Sequence, residues 1–366
     1  MHRYRDGRIL ALDEQFNKKM RSRYGAPFLG MHRADLQKLL YKKACALGVQ
    51  VRLGARVECV RDNSNTATVT LGSSKKLTAD LIVGADGLWS KCRENLIGYK
   101  DPPLPTGDLA YRIVLTLDQI TDPDLRAMVA NPGVNFWIGP FTHAVAYSLR
   151  HGEMYNIVLL CPDDLPESVV RQPGSVEEMR MLFADWDPIL KRFLDQVDRV
   201  DKWRLMHRAE MDSWSSTNGR VVLIGDSCHP MLPYLAQGAN SSIEDGAALG
   251  RILGSMPVGS NAGLRNAITI FEKVRKQRSE AIARETFAQR NAFHLPDGEE
   301  QAARDKVFLS QLGSELESTR FPFRWYVKLR LAHSILTDFR TCPIVQPWLY
   351  GYNAFAEADA AVVAFS

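Results

Sequence analysis

The 366-residue chain contains no G-x-G triplet, so it lacks the glycine-rich turn through which the opening strand and helix of a dinucleotide-binding fold approach a pyrophosphate. It has no run of ~18 apolar residues, which excludes a membrane-spanning helix. Residues 1–30 are too charged for a secretory leader. The six cysteines, Cys45, Cys59, Cys92, Cys161, Cys228 and Cys342, form no C-x-x-C pair, which argues against a zinc site or a disulfide-stapled secreted scaffold. They read as reduced thiols, and the chain as cytoplasmic, with no metal. Ser227 is not framed by the G-x-S-x-G elbow of a hydrolase. Neither an internal repeat nor a low-complexity segment is visible.

Charge is also scarce. The formal net charge is +4, and 45% apolar with 24% charged residues is the composition of an ordinary globular chain. The basic runs Lys18-Lys19-Met20-Arg21 and Arg275-Lys276-Gln277-Arg278 read as solvated helix or loop faces, and no nucleic-acid recognition motif accompanies them. The length allows two domains or one large domain with an inserted lobe.

Along the chain, Arg33 to Leu47 carry Leu36, Leu39, Leu40 and Ala44 at helical spacing. Val49 to Leu53 is expected as a strand. Val57 to Arg61, Thr66 to Leu71 and Lys76 to Leu81, separated by Asn63-Ser64-Asn65 and Gly72-Ser73-Ser74, predict a β meander leading to a buried strand at Leu81 to Val83. Prolines 102, 103 and 105 mark a boundary. Four β-type runs follow, Ala110 to Leu117, Val134 to Ile138, Ala144 to Leu149 and Tyr155 to Leu160. They predict a mostly antiparallel sheet, one face of which is a candidate substrate platform. Val176 to Val197 reads as a helical stretch broken near Pro188, Lys202 to Met211 as a returning strand, and Asn266 to Phe293 as a charged helix.

The most informative stretch is 219–253. Val221 to Ile224 suit a parallel strand buried on both faces. Gly225 and Asp226 end it, and an aspartate at a strand's carboxyl end can accept hydrogen bonds from a sugar-like hydroxyl. Ala236, Gly238 and Ala239 then present little side-chain bulk before the helix suggested by Ser241 to Leu253, leaving backbone N–H groups open to a flat ring or an anionic edge. Together these features read as a flavin-binding site. His229 follows Cys228 directly, but adjacent residues in an extended segment point apart, so no Cys/His catalytic pair is expected. His229 reads as structural.

This stretch resembles a flavin motif of the FAD-dependent aromatic monooxygenases, the group that includes salicylate hydroxylase and many fungal phenol hydroxylases. Two further segments resemble the family's other motifs, in the family's order: His32-Arg33-Ala34-Asp35-Leu36 opening a helix, and Leu81-Ile82-Val83-Gly84-Ala85-Asp86-Gly87 with Ser90 and Arg93. The likeness covers roughly residues 1–290, and weakly 348–352. It implies an α/β (α+β) fold, with a parallel-sheet FAD domain and an inserted, mostly antiparallel substrate sheet. The expected division is 1–105 and 206–290 for the FAD domain, 106–205 for the substrate lobe and 291–366 for a helical tail. The family's first βαβ unit is missing. Either the sequence is a piece of a longer enzyme or it is a short form with an incomplete cofactor site, and these residues alone are expected to hold FAD weakly.

The resemblance further implies that Arg33 meets the FAD pyrophosphate, that Asp86 and Asp226 contact the cofactor, the latter at the ribityl hydroxyls, and that Gly238 and Ala239 face the isoalloxazine edge. Arg112 and Tyr147 match the places of an Arg and a Tyr that hold a phenolate beneath the flavin, with Arg150 and Tyr155 as neighbouring alternatives. The implied activity is hydroxylation of an aromatic, phenolic small molecule in secondary metabolism or aromatic catabolism, with FAD as cofactor, NAD(P)H and O2 as co-substrates and a flavin hydroperoxide as oxygen donor. Two other readings share the residues: a terpenoid epoxidase on the same scaffold, and a truncated paralogue that binds a ligand without catalysis. The sequence leaves open the oligomeric state, the ring oxidised and the choice between NADH and NADPH.

Overall fold

A computed structural model describes residues 1–310, 312 and 345–365. Cys342, and the part of the expected 291–366 tail around it, lie outside the described residues. In chain order the first elements are β1 (His2–Arg3), α1 (Phe16–Tyr24), α2 (Arg33–Ala46), β2 (Val57–Asp62), β3 (Ala67–Leu71), β4 (Lys76–Ala79), β5 (Ile82–Gly84) and α3 (Lys91–Ile97). There follow β6 (Leu104–Thr116), α4 (Pro123–Ala130), β7 (Val134–Gly139), β8 (Thr142–Leu149), β9 (Met154–Pro162), β10 (Arg171–Gly174), α5 (Val176–Leu182), α6 (Pro188–Leu194) and β11 (Val200–His207). The chain continues through β12 (Val221–Leu223), α7 (Gly238–Ser255), α8 (Asn261–Phe293) and α9 (Glu299–Ser310) to the helices Val345–Tyr350 and Ala354–Phe365.

Contacts divide the chain into one unit of Met1–Val51, Thr106–Leu205 and Ala288–Gly351, and another of Arg52–Pro105, Met206–Phe287 and Tyr352–Ser366. The first 51 residues, expected with the FAD domain, therefore group with the lobe at 106–205. The cause is local pairing: β1 runs parallel to β7, and Tyr4 enters the same core cluster as β6 to β9.

That first unit is built on a seven-stranded sheet in the order β1-β7-β8-β9-β6-β11-β10. Its neighbours β7-β8, β8-β9, β9-β6 and β11-β10 are antiparallel. Strand alternation sorts the side chains. Tyr111, Ile113 and Leu115 of β6, Tyr155, Ile157 and Leu159 of β9 and Trp137 of β7 point one way and pack on Leu125 and Val129 of α4, Met179 of α5 and Leu190, Phe193 and Leu194 of α6. Each such burial contributes roughly 1.5–3 kcal/mol of transfer free energy. The break between α5 and α6 falls where Pro188 is predicted to bend a helix, and Asp187 before it accepts from Ile189 N at 2.9 Å and from Trp137 Nε1 at 2.6 Å. One aspartate thus caps α6 and satisfies a buried indole.

In the second unit β5 and β12 form a two-stranded parallel sheet, beside the antiparallel meander β2-β3-β4. Val222 and Leu223 pack with Cys92 of α3, Ala248, Leu249 and Ile252 of α7, Ile268 and Phe271 of α8 and Ala358. Two helices, α7 and α8, are joined by buried charge. Asp245 accepts from Arg275 Nε at 2.9 Å and lies 2.6 Å from His229 Nε2, while Arg275 and Arg278 both reach Glu244 at 2.8 and 3.0 Å. Arg278 also lies over the Tyr352 ring at 3.9 Å. The expectation that Arg275-Lys276-Gln277-Arg278 is a solvated face is therefore corrected for both arginines: they stand three apart on one side of α8 and meet the carboxylates of α7. His229 has the structural place expected of it.

One further expectation changes. Val49 to Leu53 is not a strand, and Val49, Val51 and Leu53 are exposed; no strand among the described residues lies alongside to complete its backbone hydrogen bonds. The helix expected from Arg33 is present as α2, with Leu39 and Leu40 exposed on it.

Burial raises the Asp245 pKa, but hydrogen bonding and charge from His229, with Arg275 and the Gly225 N–H, lower it further, leaving it below the ordinary carboxylate value. Asp245→Asn is expected to lower stability by ~3–5 kcal/mol, because buried cations lose their counter-charge. A lowered folded pKa contributes stability that is complete above the unfolded value of about 4 and fades as pH falls through the folded one. The gap between wild type and variant in urea denaturation should therefore be full at pH 7 and shrink below about pH 4; a gap independent of pH would show that the charge is not the stabilising feature.

Candidate active site

The turn after β12 is shaped by close approach. A Cβ on Gly84 would stand 2.6 Å from Leu223 Cδ2 and 2.8 Å from the Cys92 Cβ, so only glycine lets β5 lie against β12 and α3. Gly225 has φ +61°, and a Cβ there would lie 2.8 Å from Ser242 Oγ at the start of α7. Its N–H donates to Asp245 Oδ2 at 2.8 Å. The buried charge network therefore fixes the residue that precedes Asp226, whose side chain is exposed at the strand's end.

The expected helix after the small-residue elbow begins at Gly238 itself and runs 18 residues. Gln237 makes no side-chain cap, and Ala239 and Asn240 are exposed. The first N–H groups of α7 are thus open to a ligand, with the positive end of the helix dipole behind them. Ala236 in the elbow takes φ +54°, a left-handed conformation that disfavours any side chain by roughly 1–2 kcal/mol.

Asp86 is exposed but engaged. Its carboxylate accepts from Ser90 Oγ at 2.6 Å, Lys91 N at 2.8 Å and Cys92 N at 3.0 Å, so it holds the start of α3. Arg93 is buried against Asp101 at 2.6 Å and donates to the Ala209 carbonyl at 2.7 Å.

In the first unit, Arg112 on β6 and Tyr147 on β8 lie on the sheet face opposite the core. Register places Arg112 opposite Val158, Val158 opposite Val145, and Tyr147 opposite Asn156. The guanidiniums of Arg112 and Arg171 stand over the Trp203 ring at 5.3 and 4.4 Å. Partial desolvation lowers the Arg112 pKa, as do Arg33 and Arg171, while Tyr147 raises it. Burial raises the Tyr147 phenol, and Arg112 and Arg33 lower it. Arg33, the first residue of α2, thus stands within electrostatic reach of both. Among the described residues neither Arg33 nor Arg112 has a carboxylate partner, whereas Arg171 is paired with Asp201 at 2.9 Å.

The neighbouring alternatives do not reach this face. Tyr155 points into the core and stacks on Phe193 at 4.6 Å, and Arg150 binds Asp35 at 2.7 and 2.8 Å. The roles of Arg171, Trp203 and Asn156 are not legible in the sequence, since each depends on a strand pairing that no local pattern encodes.

A family model described as FAD binding domain matches residues 13–286. The FAD-dependent monooxygenase OpS4 of Beauveria bassiana (strain ARSEF 2860) is 47% identical over 364 residues, 99% of this chain and 80% of that protein. The 3-amino-4-hydroxybenzoate 2-monooxygenase PtnB3 of Streptomyces platensis is 34% identical over 306 residues, 83% of this chain and 73% of that one. Among solved structures, a salicylate hydroxylase substrate complex superposes with a TM-score of 0.74 at 21% identity, covering 98% of this chain and 80% of that one, a likeness of fold. The chain belongs to the FAD binding domain family and, with these relatives, to the FAD-dependent monooxygenases, whose cofactor is FAD.

Proposed function

We propose that the protein hydroxylates a phenolic ring, with NAD(P)H as electron donor and O2 as oxygen source. The observation that carries this reading is the Arg112 guanidinium, which shares the sheet face opposite the core with Tyr147, within electrostatic reach of its phenol, and has no carboxylate partner among the described residues. Such a site favours an anion, and a cation beside a phenol lowers its pKa and so increases the fraction present as the more nucleophilic phenolate. The name of PtnB3, an enzyme of a hydroxylated benzoate, supports the same class.

The residues present fit FAD. Gly225 lets the turn after β12 close against Ser242 at the start of α7, Asp226 is exposed at the strand end, and Gln237 gives α7 no side-chain cap. Bound FAD supplies the redox chemistry, accepting electrons from NAD(P)H and activating O2. On this reading Asp226 accepts from the ribityl hydroxyls, and the backbone at Gly238 and Ala239 faces the ring edge, where the helix dipole stabilises negative charge. Arg33 is assigned to the pyrophosphate. Asp86 retains a share in the contact only through the acceptor capacity its three donors leave, since a carboxylate has about four lone-pair sites. Arg112 and Tyr147 orient the substrate. The described cysteines are free thiols, in keeping with a reducing, cytoplasmic setting.

Asp226→Ala should weaken FAD binding by ~1–3 kcal/mol, with little change in the thermal unfolding of the cofactor-free protein. Titration of apoprotein with FAD reads the first quantity and calorimetry the second; equal FAD affinity removes Asp226 from the site.

At the substrate, Arg112→Lys should also be impaired, because a planar fork and a point charge are not interchangeable where a ligand is oriented. Tyr147→Phe keeps the ring and loses one hydrogen bond, a change of roughly 0.5–1.5 kcal/mol. The readout is substrate-stimulated NAD(P)H oxidation together with product yield. Wild-type coupling in Arg112→Ala on an aromatic substrate would overturn the phenolate reading.

A further inference from the structure

Between the two substrate-holding residues the sheet places a third. Tyr147 belongs to β8 and Arg112 to β6, and β9 runs between them. Asn156 on β9 is the register partner of both Tyr147 and Val114, and Val158, two residues on, is the partner of Arg112. Tyr155 and Ile157 on either side of Asn156 point into the core, so alternation turns Asn156 and Val158 to the face that carries Arg112 and Tyr147. Asn156 and Arg112 are diagonal neighbours, about 7–8 Å apart. A ligand that spans Arg112 and Tyr147 must lie across Asn156 and Val158.

Asn156 is only 7% exposed, yet its Nδ2 has no hydrogen-bond partner. A buried amide left unsatisfied costs stability in the free protein, and among the described residues nothing answers it, its register neighbours Tyr147 and Val114 included. The neighbours on the same strands, Val145 and Val158, are apolar. One half of the platform is therefore aliphatic, and the other half holds a polar group without a partner among the described residues.

We propose that Asn156 is a specificity-determining residue: its amide hydrogen-bonds a second polar substituent, adjacent to the phenolate, on the ring that Arg112 and Tyr147 hold. The inference rests on the phenolate reading of the platform. It names the substrate class as phenols with one polar ortho substituent, with Val158 and Val145 under the unsubstituted edge. Either orientation of the amide serves, since it offers a donor at one end and an acceptor at the other.

The test is calorimetric titration of the FAD-saturated protein with phenol and with catechol. The wild type should prefer catechol by about 3- to 10-fold, the range of one hydrogen bond. Asn156→Val, which suits a strand and preserves the fold, should reduce that preference to below 2-fold while leaving phenol affinity within 2-fold of wild type. Asn156→Asp keeps the shape and an acceptor, and should retain the catechol preference while weakening 2-hydroxybenzoate, whose carboxylate it repels, by 10-fold or more relative to wild type. An unchanged catechol-to-phenol ratio in Asn156→Val overturns the assignment. Arg112→Ala separates the two levels of the argument. If it weakens both ligands while Asn156→Val leaves their ratio intact, only the Asn156 assignment fails. If it weakens neither, or if the wild type binds neither ligand, the phenolate reading fails and this inference with it.

Discussion

Within the second unit, local order depends on one buried carboxylate. Asp245 receives the Gly225 N–H, the His229 ring and the Arg275 guanidinium, three donors from two stretches of chain, the turn 225–229 and α8. An isolated ion in that environment would be costly, and the network answers the cost with Glu244, Arg278 and the face of Tyr352. The result is that the turn carrying Asp226, the elbow carrying His229 and the first turns of α7 are held by a single charge. Asp226 and Ala239, proposed to face the cofactor, are exposed, and Asp245, which holds the turn before them, is buried.

In the first unit the governing constraint is strand alternation. Because Tyr111, Ile113, Tyr155 and Ile157 are committed to the core, Arg112, Asn156 and Val158 are turned away from it. The proposed substrate residues therefore lie on the face opposite α4 to α6, a face that elsewhere buries Ile138 with Leu10, Phe293 and Phe308. A one-residue slip in β6 or β9 would exchange the two sets, so the core specifies the position of Arg112 as firmly as it specifies its own packing.

Local signals were legible where chemistry and backbone coincide. The aliphatic run at Val221, the turn at Gly225 and a helix over Ser241 to Leu253 could be read directly, because each is dictated by residues adjacent in sequence, although the helix starts three residues earlier, at Gly238. The four strands of the lobe followed from period and turn residues. What escaped was set by distant partners. Arg275 and Arg278 look like surface charge until α7 supplies Glu244 and Asp245. Val49 to Leu53 has the composition of a strand, but composition does not provide the neighbour that a strand requires. Asn156 carries no motif, and only the pairing of β8, β9 and β6 shows what lies beside it.

The charge arrangement of the platform has a consequence for how binding responds to pH. Arg112 is held near Arg33 and Arg171, and its pKa is lowered by desolvation and by both neighbours. A guanidinium is so strongly basic that it nevertheless keeps its proton throughout the physiological range. The platform's positive field is thus constant, and mutual repulsion among the arginines is relieved when an anion arrives rather than when a proton leaves. On the phenolate reading, the proton that titrates belongs to the ligand. Its release is favoured by the same fixed charges that orient the ring, so recognition and activation of the substrate are one electrostatic event.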